Sequence, residues 1–225
     1  NRQATALPAL RQQYDQSKQL YSQQLQEMVA FELQGSELSR LEAVQKLAPQ
    51  VFGVAEKMMG LHQQQVELEA RLMGMRNQFL RLDDSYRSAA DLLLQFTSSK
   101  RSLHNKAELI TSGIARDIKQ IQRTDANTDL LSLEKVLAKD IEIASKRLEN
   151  IVVPDDVKQR FSRNVELLKK LAFGEQGLIR TLVRDQQLTR EVLAAQAELD
   201  RLSNQVNQEL QALIDVTSQS VQADK

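Results

Sequence analysis

His62 and His104 are the only imidazoles in this sequence, and Cys is absent. Thiol nucleophiles, Cys-based metal sites and disulfides are thereby removed together. Adjacent carboxylates stand at Asp83-Asp84 and Asp155-Asp156. Neighbouring side chains diverge, so neither pair can share a proton or a metal as facing groups would. Both pairs read as helix-end or surface charges. A Gly-rich phosphate loop, a His-Glu-x-x-His pair and a Ser-centred elbow are all missing. Along one helix the two His would stand about 60 Å apart, which favours solvated or partner-facing imidazoles over a shared metal. The sequence thus predicts no catalytic residue, no cofactor and no metal, and a chain that is not an enzyme.

Two charges fall on what is otherwise an apolar seam. Residues Val51, Val54, Met58, Leu61, Leu68, Leu72, Met75, Phe79, Leu82, Tyr86, Ala89, Leu93, Phe96, Leu103, Ala107, Ile110, Ile114 and Ile121 alternate at steps of three and four, with Gln65, Lys100 and Asp117 in register among them. A charge on a packing seam costs several kcal/mol, on the order of 3 to 5 when unpaired. The plain reading is a seam that opens to water or a side chain that snorkels. The sharper one is a ligand site in which Lys100 and His104, one turn apart, hold an anion between helices. Gly53, Gly60 and Gly74 lie at heptad multiples on an adjoining face. Gly inside a helix costs about 1 kcal/mol against Ala, so its repetition points to a close neighbour such as a second copy or a docked protein.

These residues need long helices to carry them. The chain has 225 residues, 41% hydrophobic and 27% charged, with only 7 Gly and 3 Pro, so it has few turns to make. The 30 basic and 30 acidic residues cancel, which leaves no net field to draw nucleic acid. Periodicity and breakers predict helices at about 6–33, 37–47, 51–122, 129–151, 155–173 and 177–220. Gly35 ends the first, Pro49 separates the second from the third, and Val153-Pro154 parts the fourth from the fifth. A break near Thr97-Ser98-Ser99 is compatible with the long third helix, because hydroxyl side chains compete for main-chain hydrogen bonds.

The order short, short, long occurs twice. Folded economically, it gives an all-α fold, a single domain over 1–225, as an elongated stack of two four-helix layers sharing two long helices. Both chain ends, Asn1 and Lys225, would then lie at one end of a rod. No stretch reaches the roughly 20 apolar residues that span a bilayer, and the start carries neither an initiator Met nor a signal-peptide pattern. The sequence reads as a segment excised from between two transmembrane helices.

The run Leu167-Leu168-Lys169-Lys170-Leu171-Ala172-Phe173-Gly174-Glu175-Gln176-Gly177-Leu178-Ile179, with Gln187-Leu188 and the seam from Leu199 to Leu213, resembles the C-terminal part of the periplasmic domain in sensor histidine kinases of the trimethylamine-N-oxide type. Ile179 stands where that family often has an aromatic residue, and Arg180 and Arg184 straddle the position of its Arg. The resemblance implies the periplasmic sensor domain of an inner-membrane, dimeric receptor. Its signal would be a small molecule, met directly or through a periplasmic binding protein docked at the membrane-far tip. Pro49, Phe52, Gly60, Phe173 and Gly174 are the partner-binding candidates. The helix order also resembles the helical bimodular ligand domains of chemoreceptors, which implies a small carboxylate held by Arg. A cytoplasmic coiled-coil scaffold is the competing class.

Overall fold

The structure, a computed structural model, describes the backbone of residues 2–29, 33 and 35–223 and the side chains of 8–29, 33 and 35–219. Asn1 and Lys225, whose neighbourhood the rod requires, lie outside the described residues, as does Phe31 near the expected end of the first helix. The described residues form six helices and no strand: α1 Arg2–Val29, α2 Ser36–Thr97, α3 Arg101–Gln122, α4 Leu130–Glu149, α5 Asp155–Ala172 and α6 Leu178–Ala223. The chain is all-α across them. No helix among the described residues is long and apolar enough to cross a membrane.

Local chemistry sets most helix ends. Gly35, with φ 60°, turns the chain into α2 in the left-handed region that other residues avoid. Asp129 caps α4 by accepting from the Ser132 amide at 3.0 Å. Pro154 precedes α5, and Asp155 and Asp156 occupy its first turn, where carboxylates favour the helix dipole. Gly174, with φ 89°, turns α5 towards α6.

Two boundaries differ from the sequence reading. Residues 37–47 and 51–97 form one helix, because α2 continues through Pro49. Pro49 lies on an exposed face, so the carbonyl it leaves without a donor is open to water. The buried row Leu41, Val44 and Ala48, continued by half-buried Val51 and Phe52, holds the helix together across it. The expected helix 51–122 is instead two helices. The Thr97 hydroxyl donates to the Leu93 and Leu94 carbonyls at 3.1 and 3.0 Å, and the Ser98 hydroxyl to the Gln95 carbonyl at 2.8 Å. These bonds satisfy the last turn of α2 and let the chain reverse. His104 meets the Leu94 carbonyl, Tyr86 the Thr111 carbonyl and Gln122 the Asp83 carboxylate, so α3 runs back along the end of α2.

The chain divides into two compact units, residues 1–67 with 188–225, and residues 68–187. In the 68–187 unit the end of α2, α3, α4, α5 and the start of α6 surround one apolar core. Tyr86, Leu93, Ile110, Ile114, Leu137, Phe161, Leu168 and Leu178 are all at most 1% exposed there. The rings of Tyr86 and Phe161 stand 5.5 Å apart. Burying rows of this kind stabilises by about 25 cal/mol per Å² of apolar surface. The other unit has three described helical segments, from α1, the first part of α2 and the last part of α6. Its core is thinner: the buried apolar side chains are Leu41, Val44, Ala48, Leu61 and Val66 of α2 and Ala195, Leu202, Val206 and Leu213 of α6. Among its described side chains α1 buries none completely, and Tyr14, Lys18, Tyr21, Leu25 and Met28 are half-buried.

Candidate functional site

In the smaller-cored unit α1 meets α2 at Phe52. Its ring takes the edges of two α1 rings seven residues apart, Tyr14 at 6.2 Å and Tyr21 at 5.7 Å between centroids. Edge-on packing matches the quadrupoles of the rings. The Tyr14 hydroxyl donates to the Phe52 carbonyl at 2.9 Å, and Lys18 pairs with Glu56 at 2.6 Å. Burial first, then the Glu56 charge, pushes the Tyr14 phenol up. Burial alone does the same at Tyr21. The Tyr21 hydroxyl is shielded from solvent and bonds to nothing else in the chain.

Beside this cluster lies a cavity of about 240 Å³. α1 supplies Ser17 and Tyr21 to it, α2 supplies Ala48, Val51 and Phe52, and α6 supplies Ser203, Val206 and Asn207. None of these side chains carries a formal charge. A wider groove of about 520 Å³ follows α1 and α2 past Arg11, Tyr14, Met59 and Gly60. Its charges are mixed, with Asp15, Glu56 and Glu67 alongside Arg11.

The partner-binding candidates distribute over both units. Phe52 is at the aromatic cluster, Pro49 is exposed one turn before it, and Gly60 lines the wider groove. Phe173 and Gly174 belong to the 68–187 unit, where Phe173 packs against the core and Gly174 is exposed in the turn after α5. The five therefore form no single cluster within either unit. A Cβ added to Gly53, Gly60 or Gly74 would meet nothing within 4 Å, so no part of the described chain explains these glycines.

Lys100 and His104 stand one turn apart at the start of α3, where the His104 amide donates to the Lys100 carbonyl at 2.9 Å. Lys100 is the exposed N-cap residue of α3 and has left the packing seam. Half-buried His104 faces the Leu94 carbonyl at 3.3 Å and Glu108 at 3.6 Å. A carboxylate beside the imidazole disfavours a second anion there.

Asp117 does occupy the seam, fully buried. Its Oδ1 accepts from Arg116 Nε at 3.3 Å, and its Oδ2 has no partner in the chain. Arg116 turns its other nitrogen to Asp140 on α4 at 2.7 Å. One guanidinium thus serves two carboxylates. Burial, reinforced by the Asp140 charge, pushes the Asp117 carboxyl up to about 6. Asp83, read from the sequence as a surface charge, is 6% exposed. Arg87 grips both its oxygens at 2.9 and 2.7 Å, and Gln122 reaches it from α3 at 2.8 Å. The sequence offered one signal for the aromatic cluster, two tyrosines a heptad apart on the inner face of α1. Asp140 gave none, because its importance comes from Asp117 twenty-three residues away. No protein-family model matches the chain, and comparison with curated proteins and with solved structures finds no significant match.

Proposed function

We propose that this chain is the extracytoplasmic signal-sensing domain of a transmembrane two-component receptor, a sensor histidine kinase in which this segment carries no catalysis. A small molecule, bound directly or presented by a periplasmic binding protein, biases helix packing, and the long helices carry the change. The observation that supports this most is continuity: α2, of 62 residues, and α6, of 46, each contribute to both compact units. A helix packed at both ends transmits displacement, since packed interfaces switch between discrete arrangements. The reading retains the two-layer arrangement expected from the sequence, with α2 and α6 as the shared elements. A homodimer is part of it, supported by Leu10 and Leu20 of α1, both more than half exposed. The resemblance of residues 167–213 to periplasmic kinase sensors supports reading the segment as the periplasmic domain of an inner-membrane protein.

The test is a thermal-shift screen of the chain against small metabolites and purified solute-binding proteins. The reading expects at least one to raise Tm saturably, by about 3 °C at a hundredfold excess over Kd or more. A screen in which no member of either class shifts Tm contradicts it.

A further inference from the structure

We infer that the cavity between α1, α2 and α6 is a binding site for a small uncharged ligand that combines a flat apolar body with one hydrogen-bonding group. Three observations converge on it. The lining itself carries no formal charge, and the Lys18 ammonium, 5.6 Å from the Phe52 ring centroid, is already paired with Glu56 at 2.6 Å, so an ion entering it would lose hydration with little opposite charge in return. One wall is aromatic, the Phe52 ring with Tyr21 edge-on at 5.7 Å. Tyr21 lines the cavity, and its hydroxyl is covered by neighbouring protein atoms with no partner in the chain, so a small side-chain adjustment is needed to bring it to an occupant. A buried hydroxyl left unpaired destabilises a fold, and a ligand that accepts or donates there recovers that loss.

Size narrows the class further. At about 240 Å³ the cavity suits a compact molecule, smaller than the drug-sized ligands that fill larger clefts. Ser203 and Asn207 on α6 offer further polar contacts opposite Tyr21 on α1. An occupant touching all three segments therefore ties α1 and α6 to α2. The site stands on this geometry whether or not the chain signals. If the sensing function holds, it supplies the direct ligand site which that function leaves open.

The test uses three molecules of one shape and different charge: benzamide, benzoate and benzamidine. Binding to the whole chain is followed by calorimetry and by amide chemical shifts. Benzamide is expected to bind saturably, with shifts centred on residues 17–21, 48–52 and 203–207, and the two ions at least about tenfold more weakly. Tyr21→Phe is expected to raise Tm of the unliganded chain by about 2 °C while weakening benzamide about fivefold or more. That opposition separates a ligand contact from a structural one, because a tyrosine needed for packing loses stability and binding together. Absence of saturable benzamide binding, equal binding of the ions, or a Tyr21→Phe chain that binds benzamide unchanged would each overturn the assignment.

Discussion

Gly113 on α3 lies beneath the carboxylate of Asp140 on α4, so close that a Cβ at 113 would stand 2.5 Å from Asp140 Oδ2. Ala normally stabilises a helix interior by about 1 kcal/mol over Gly. Here the carboxylate it would displace is held by Arg116 at 2.7 Å, so Gly113→Ala is expected to destabilise by about 1 to 2 kcal/mol. In an Asp140→Ala background the same change should become neutral or stabilising. Urea unfolding of the double-mutant cycle reads this directly, and a Gly113→Ala protein more stable than the parent would refute it.

Asp117 makes stability depend on pH in a defined direction. Its carboxyl titrates near 6 in the folded chain and near 3.8 when unfolded, so the folded state holds the proton more tightly. The group therefore costs nothing below pH 4, and stability falls as pH rises from 4 to 6. Tyr86, Arg116 and Asp140 are the ionisable groups whose influence it shares with its surroundings. Asp117→Asn is expected to add nothing at pH 4 and up to about 3 kcal/mol at pH 7. A gain independent of pH, measured by denaturant unfolding at both values, would count against it.

The heptad seam located much of the buried face, and its failures share one cause. Leu72, Phe79, Tyr86, Ala89 and Leu93 are buried as expected, and so are Ala107, Ile110, Ile114 and Ile121. Leu93 and Ala107 are fourteen residues apart, two full heptads, although the chain reverses between them. The reversal keeps the phase of the pattern, so periodicity cannot detect it. Only the hydroxyls of Thr97 and Ser98 hint at it. At the reversal the pattern misplaces side chains: Phe96 is 51% exposed, Lys100 caps a helix, and Thr97 is buried at 1%. Pro49 misled in the opposite sense, because local propensity is a weak prior against a packed row of side chains. The candidate site was legible at Phe52 and in the heptad spacing of Tyr14 and Tyr21. The cavity beside it depends on how α1 and α6 pack on α2, which no local pattern encodes.

Pro49 gives a prediction of its own. With α2 continuous on both sides, replacing it by Ala restores one main-chain donor and removes the ring's clash with the preceding turn. Pro49→Ala is expected to stabilise by about 1 to 3 kcal/mol without altering helix content by circular dichroism. Loss of stability would mean that the helix depends on the geometry Pro49 imposes.

Gly60 separates helix propensity from self-association. It is exposed, with nothing within 4 Å of an added Cβ, so Gly60→Ala should stabilise the single chain by about 0.5 to 1 kcal/mol. If a second copy approaches along this face, Gly60→Leu should weaken self-association in analytical ultracentrifugation while leaving the fold intact. Unchanged sedimentation would remove this face from the dimer.

The central claim is that the domain faces outward as the receiving part of a membrane receptor. Because the chain has no Cys, Ser98→Cys at the exposed α2–α3 reversal places one reactive thiol in this domain. In the full-length protein, a membrane-impermeant maleimide applied to intact spheroplasts should label this variant and leave the unsubstituted protein's labelling unchanged. Labelling of the introduced thiol only after lysis would put the domain inside the cell and contradict the account.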